Sequence, residues 1–153
     1  MPNEETSPSI ATRIKSHLKD APFFCKILEL ILCVISTGLI VDPFNKIPVD
    51  DMNHVGVVFV GVCGYIVING ILILGHLLGE KVPKKTALMF SGVGAVLCCT
   101  AGLLLIREWT NFPNNLISKY LEQYSDQIVT SGFFAVLASI VFAIDIYFLN
   151  KYY

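Results

Sequence analysis

Charged residues are scarce in this chain. Only 15% of its 153 residues are Asp, Glu, Lys or Arg, whereas 54% are hydrophobic. A soluble domain of this size cannot bury so much apolar surface in one core. The composition therefore excludes an ordinary soluble domain and indicates that most of the apolar surface faces lipid.

The sequence also lacks the motifs of familiar catalytic sites. It contains no Gly-x-Ser-x-Gly, no phosphate-binding Walker loop, no His-Glu-x-x-His and no dinucleotide-binding fingerprint. Its three histidines are scattered, and the adjacent Cys98 and Cys99 point to different faces of one helix, so no metal site of recognised spacing is present. We expect no catalytic residue, no metal and no cofactor, and neither an enzyme nor a nucleic-acid-binding protein.

Four long apolar runs account for most of the chain. A transmembrane helix needs roughly 20 mainly apolar residues, and we place four such spans at residues 24–41, 55–78, 87–106 and 128–149. The runs are continuous rather than alternating between apolar and polar residues, which disfavours a transmembrane barrel. The sequence therefore predicts an all-α, four-helix transmembrane bundle, formed by one membrane domain over residues 24–149.

Basic residues lie mostly on one side of this topology. Eight of the eleven Lys and Arg residues are at or before the start of the first span, between the second and third spans, or after the fourth. Such an excess marks the cytoplasmic side. We expect the N-terminal segment 1–23 and the tail 150–153 to be cytoplasmic. A plasma membrane or cell junction is the favoured location, with endomembrane vesicles as the alternative.

Cysteine is missing from both predicted external loops. All five cysteines fall within a span or at its edge, so a disulfide framework in the loops is excluded. Cys25 lies beside Phe24 and Lys26 at the cytoplasmic edge, a setting in which reversible palmitoylation occurs. A plain boundary cysteine is an equally good interpretation.

Four ionisable residues, Lys26, Glu29, His76 and Asp145, fall within the spans and near the cytoplasmic boundary. An ionisable group in lipid is costly unless it is paired or hydrated, so such residues are functional candidates. We interpret the four as a structural polar cluster. A proton or ion relay is the alternative, which is disfavoured because the outer half of every span contains no acid or base. Asn69, near mid-span, is expected to make a hydrogen bond between helices.

Small residues recur at helical spacing in the third and fourth spans. In lipid, stripes of small residues let helix backbones approach closely and gain van der Waals contact. We expect this packing within one bundle, with an oligomer interface as the alternative. The predicted packing residues are Ser131, Ala135, Ser139 and Ala143 in the fourth span, and Gly94 and Gly102 in the third.

Two segments outside the spans also show helical periodicity. Residues 7–19 form a basic amphipathic pattern, which either lies on an anionic membrane surface or is a frayed polar lead-in. Residues 114–124 place Leu116, Tyr120 and Tyr124 on one face. This predicts a short helix in the second external loop that rests on the membrane or the bundle, with a partner-facing patch as the alternative.

Two stretches resemble a known group of membrane proteins. The first is Lys-Ile-Leu-Glu-Leu-Ile-Leu-Cys-Val-Ile, starting at Lys26, and the second is Val-Phe-Ala-Ile-Asp, ending at Asp145. With four spans, short termini and loops without cysteine, the chain resembles MARVEL-type four-span proteins, especially small arthropod members of septate junctions, over residues 25–151. Claudins and tetraspanins are disfavoured because their loop cysteines are missing. The resemblance implies a left-handed four-helix bundle at cell junctions or in vesicle traffic, with Glu29 and Asp145 in a structural role.

These observations favour a non-enzymatic membrane protein that organises membrane domains, cell junctions or vesicle traffic. Its expected partners are the lipid bilayer and other membrane proteins or further copies of itself. One alternative is a small transporter or channel-associated subunit that uses Glu29, His76 and Asp145. Another is an accessory subunit that steadies a larger membrane complex.

Overall fold

The computed structural model describes residues 21–46, 52–79, 82–110 and 119–152. They form four helices, α1 (Ala21–Lys46), α2 (Met52–Leu77), α3 (Lys84–Thr110) and α4 (Lys119–Tyr152). Each helix is long and apolar enough to cross a membrane, with a mean hydropathy of at least 2.2 over its best stretch. The prediction of an all-α chain with four membrane-crossing helices is confirmed.

The helices extend beyond most of the predicted span limits. α1 continues five residues past position 41 and includes Pro43 near its end, and α4 begins nine residues before position 128. Residues 119–124 of the predicted loop helix therefore belong to α4, whereas 111–118 and the amphipathic segment 7–19 lie outside the described residues. Hydropathy marks where a chain leaves lipid, and a helix can continue into the polar interface beyond that point.

Neighbouring helices run antiparallel and close into a ring. Each helix packs on the next, and α4 also packs on α1. Phe23 at the start of α1 stacks on His76 at the end of α2, and Phe44 near the other end of α1 contacts Phe59 near the start of α2. The turn that follows α2 contains Gly79, whose φ of 82° suits a residue without a side chain. Short connections between antiparallel neighbours are typical of four-helix bundles.

The buried positions of every helix alternate between spacings of three and four residues. In α1 they are Lys26, Glu29, Cys33, Ser36, Ile40 and Pro43; in α4 they include Ile128, Ser131, Ala135, Ala138, Phe142, Asp145 and Leu149. This repeat of seven is the pattern of helices that wind around each other with a left-handed twist. It determines which side chains point into the bundle.

Polarity inside the bundle is the reverse of that in a soluble protein. Among the described residues, seven polar or charged side chains are buried in the interior, whereas large apolar side chains such as Val60, Val96 and Phe133 are more than 60% exposed. In water such a surface would be strongly unfavourable, but in lipid it is well solvated. The distribution therefore supports an integral membrane protein.

Candidate functional site

Lys26, Glu29, Ser91 and Asp145 meet in the interior near the end of the bundle where α1 begins. We call these four residues the buried polar cluster. Lys26 and Glu29 are one turn apart on α1, Ser91 is near the start of α3, and Asp145 is near the end of α4. Each residue occupies a buried position of its helix's seven-residue repeat, so all four side chains point to the bundle axis.

The Lys26 ammonium group is the centre of this cluster. Its Nζ lies 2.8 Å from Glu29 Oε2, 2.8 Å from Ser91 Oγ and 2.8 Å from Asp145 Oδ2. The ammonium group donates hydrogen bonds to Glu29 and Ser91 and forms an ion pair with Asp145. Ser91 Oγ in turn donates to Asp145 Oδ2 over 2.7 Å. The cluster therefore ties α1, α3 and α4 together.

Phe142 adds an aromatic face to the cluster. Lys26 Nζ lies 5.0 Å from the centre of the Phe142 ring, within the range of a cation–π interaction. Tyr65 packs edge-on against the same ring at 5.2 Å and donates from its hydroxyl to the Phe90 carbonyl oxygen at 2.9 Å. Gly94 makes room for both rings, because a Cβ there would lie 2.6 Å from Tyr65 and 2.7 Å from Phe142.

The cluster is sealed from its surroundings. Glu29, Ser91 and Asp145 are 0% exposed and Lys26 is 8% exposed. Removing one partner of a buried ion pair costs about 3–5 kcal/mol, because the remaining charge is left without compensation. The three ionisable residues therefore act as one energetic unit.

Some polar atoms in this region have no hydrogen-bond partner. They include Glu29 Oε1, Asp145 Oδ1 and both amide atoms of Asn69. Asn69 is 1% exposed and lies beside Glu29, but no pair of their atoms meets hydrogen-bond geometry. The Asn69 amide therefore interacts with Glu29 without a hydrogen bond of good geometry, and the cluster retains unused acceptor and donor capacity.

His76 does not join the cluster, so its predicted membership is wrong. The residue is exposed, and its ring stacks on Phe23 with the centroids 4.6 Å apart. It follows Asn69 by seven residues, which places it about 10 Å further along the same face of α2. His76 lies near the predicted boundary, but its depth along α2 separates it from Glu29 and Asp145.

The predicted packing stripe of α4 is only partly buried. Ser131 and Ala135 are buried and Ser139 is half-buried, with its hydroxyl donating to the Ala95 carbonyl oxygen over 2.9 Å, but Ala143 is exposed. Four residues turn a helix by about 400°, so a strict spacing of four drifts by about 40° at each step. Phe142 takes the interior position instead.

Close backbone approach occurs where glycine was predicted to allow it. A Cβ on Gly102 would lie 2.6 Å from Val136 Cγ2 and 2.9 Å from the Gly132 carbonyl oxygen, which places the α3 and α4 backbones in contact. Ser131 and Ser36 join α4 to α1 in a reciprocal pair, each hydroxyl donating to the other residue's carbonyl oxygen over 2.7 and 3.0 Å. Within the described residues these contacts lie inside one bundle.

Sequence reasoning missed the chemical roles of Ser91, Phe142 and Tyr65. In the sequence Ser91 stands out only as one more small residue of the third span, although its hydroxyl joins Lys26 to Asp145. The signal that identifies all three is the seven-residue repeat: Phe142 precedes Asp145 by three positions, and Tyr65 precedes Asn69 by four.

Cys25, the candidate for palmitoylation, carries a free thiol and is half-buried. It lies next to Lys26 in the chain, at the end of α1 nearest the cluster. This position is compatible with both palmitoylation and a plain boundary cysteine.

The arrangement of the cluster suits three tasks: joining helices, holding charge in the bundle interior and binding a proton.

The chain was compared with protein-family models, with curated proteins and with solved structures, and none of these comparisons finds a match.

Proposed function

We propose that this integral membrane protein is a non-enzymatic scaffold that organises membrane domains, either at cell junctions or on transport vesicles. Its resemblance to MARVEL-type proteins, among whose small arthropod members is the septate-junction protein snakeskin, supports this role. The proposal places both termini in the cytoplasm, in agreement with the distribution of Lys and Arg.

The closed interior of the bundle is the observation that carries the proposal. The buried polar cluster is tied together at one end, and Ser36 and Ser131 bind each other two turns further along α1. Beyond that level the buried side chains near the other end are apolar: Ile40, Val58, Leu105 and Ile128. A half-buried pair, His54 and Glu108, lies 2.7 Å apart at the opposite end. Among the described residues the apolar layer therefore separates this pair from the two serines, which favours a structural role over transport.

The outer surface offers the contacts that a scaffold needs. A shallow apolar groove between α2 and α3 is lined by residues that include Val60, Ile68, Met89 and Val93. Lipid chains and apolar faces of neighbouring helices both fit such a surface. A rigid bundle with an apolar exterior can hold a fixed position in the membrane while its termini and loops face other molecules.

Imaging of the full chain with a tag at its C-terminus tests this proposal. We expect enrichment at cell contacts or on transport vesicles, and diffuse endomembrane staining would contradict it. A second tag placed within residues 111–118 should bind antibody without permeabilisation if the chain is at the cell surface, whereas the C-terminal tag should require it. Native-gel mass shows whether the chain runs alone, with copies of itself or as an accessory subunit of a larger complex.

A proton-coupled transporter or channel subunit is the second candidate, and the unpartnered oxygens of Glu29 and Asp145 are the observation that favours it. Flux through vesicles that contain the purified chain tests this role. Flux that disappears with Glu29→Gln or Asp145→Asn would support transport, and absence of flux in the parent protein would exclude it.

A further inference from the structure

The buried polar cluster has more acid than base. Lys26 carries one positive charge and lies 2.8 Å from both Glu29 and Asp145, so two ionised carboxylates would leave one negative charge uncompensated. Both acids are 0% exposed. An uncompensated charge in a dry interior is strongly unfavourable, and a buried acid avoids that cost by taking up a proton.

The two carboxylates are not equally well stabilised as anions. Asp145 Oδ2 forms an ion pair with Lys26 Nζ, at 2.8 Å, and also accepts a hydrogen bond from Ser91 Oγ, at 2.7 Å. Glu29 Oε2 accepts only from Lys26 Nζ, at 2.8 Å. Hydrogen bonds to a carboxylate favour its ionised form. The pattern of donors therefore selects Asp145 as the anion and Glu29 as the acid that takes the proton.

Asn69 provides an independent indication at the same place. Its amide is 1% exposed, lies beside Glu29 and has no hydrogen-bond partner, and Glu29 Oε1 has none either. A proton on Glu29 Oε1 turns that oxygen into a donor, and the amide oxygen of Asn69 is an acceptor. A protonated Oε1 can thus donate to the Asn69 oxygen, which an ionised carboxylate, an acceptor only, cannot do.

We propose that Glu29 is a buried proton-binding site, with the proton on Oε1 directed at Asn69, while Lys26 and Asp145 remain an ion pair. The site is separate from the scaffold role and does not depend on it. Lys26, the only member of the cluster that reaches the surface at all, lies between Glu29 and the end of the bundle where α1 begins. Proton exchange therefore takes place from that end.

Within the part of the chain that the structure describes, the groups around Glu29 supply no other compensating charge. The titratable and hydroxyl groups that face it from the packed helices are Cys25, Lys26 and Cys33 on α1, Tyr65 on α2, Ser91 on α3 and Asp145 on α4. Thiols and phenols are mostly neutral near pH 7. Lys26 is therefore the one cation among these neighbours.

A metal ion suits the site less well than a proton. The described residues contain no group of three or more His, Cys, Asp or Glu side chains that could hold one. The Lys26 ammonium would also repel a second cation that bound between the same two carboxylates. A proton avoids that repulsion because it makes Glu29 neutral.

Infrared spectroscopy of the full chain in lipid vesicles near pH 7 tests the proposal. A protonated carboxylic acid has a carbonyl stretch well separated from carboxylate bands. We expect one such band, which shifts in heavy water and shifts again when glutamate, but not aspartate, carries a ¹³C carboxyl label. These measurements use the parent protein and do not depend on any variant folding. Absence of the band, or a shift with labelled aspartate only, would overturn the proposal.

Variants then assign the band to one residue. Glu29→Gln, which keeps the shape of the side chain, should abolish the band, whereas Glu122→Gln at an exposed position should leave it unchanged. Asp145→Asn should also abolish it, because Glu29 must then ionise to balance Lys26. A band that survives Glu29→Gln, or a Glu29 band that persists in Asp145→Asn, would contradict the charge balance on which the site rests.

Discussion

Replacing Lys26 with methionine measures how strongly the buried polar cluster stabilises the bundle. Methionine keeps most of the length of the lysine stem and its apolar contacts, so the change removes mainly the ammonium group. Three contacts of 2.8 Å, to Glu29, Ser91 and Asp145, are lost at once.

Two effects determine the size of the loss. Hydrogen bonds between helices in a membrane contribute about 0.6 kcal/mol each on average, so the one from Lys26 to Ser91 accounts for well under about 1 kcal/mol. Leaving a buried carboxylate without its cation costs about 3–5 kcal/mol. The second effect dominates because Asp145 is 0% exposed and has no other cation within the described cluster. We therefore expect Lys26→Met to lower the free energy of unfolding by about 3–5 kcal/mol.

Unfolding in mixed micelles with increasing dodecyl sulfate, followed by circular dichroism, measures this loss. Lys85→Met is the matched control, because Lys85 is exposed and its replacement should change stability by no more than about 0.5 kcal/mol. The triple variant Lys26→Met, Glu29→Gln, Asp145→Asn should recover more than half of the loss, since it leaves no buried charge.

The dependence on pH has a defined sign. As the pH falls, Asp145 can take up a proton in the Lys26→Met variant, in which Glu29 is already neutral, and the uncompensated charge disappears. The difference between parent and variant should therefore shrink in acid and grow in alkali. A loss below about 1 kcal/mol, or a triple variant no more stable than Lys26→Met, would refute the reasoning.

Two further predictions concern the packing between helices. Gly102→Ala should lower the free energy of unfolding by about 1–3 kcal/mol, because the added Cβ would meet Val136 and the backbone of α4. Gly64→Ala is the control and should be neutral or stabilising, because a Cβ there has nothing within 4 Å. Equal effects of the two substitutions would contradict the contact at Gly102. Ser36→Ala and Ser131→Ala should each cost about 0.6–1.7 kcal/mol in the same assay, and the double variant should cost less than their sum because the two hydroxyls bond reciprocally. A fully additive double variant would show that the two serines act separately.

The positions of acids and bases along the spans could be predicted from the chain alone. Lys26 and Glu29 are one helical turn apart, and hydropathy places Asp145 at the same depth on the fourth span. Because an isolated ionisable group in lipid is so unfavourable, such residues are expected to meet. The contacts of Lys26 with Glu29 and Asp145 agree with that expectation.

Orientation about each helix axis was harder to predict. The stripe that ended at Ala143 assumed a spacing of four, whereas the interior follows spacings of three and four that lead to Phe142. Small residues are compatible with an interior, an oligomer interface or a lipid-facing surface, so their spacing alone does not select a face. The neighbouring helix decides, because only one face can interlock with it.

The amino-acid sequence is enough to determine that the chain crosses a membrane and must pair its acids. Four apolar runs and scarce charge establish the first point, and the spacing of Lys26, Glu29 and Asp145 establishes the second. These features follow from the cost of placing polar groups in lipid, which depends on residue type and depth. Only the tertiary structure decided that Ser91 completes the cluster, that His76 lies outside it and that Asn69 faces Glu29 without a partner. Such relations depend on how four helices are rotated and shifted against one another, and that is settled by packing between side chains far apart in the chain.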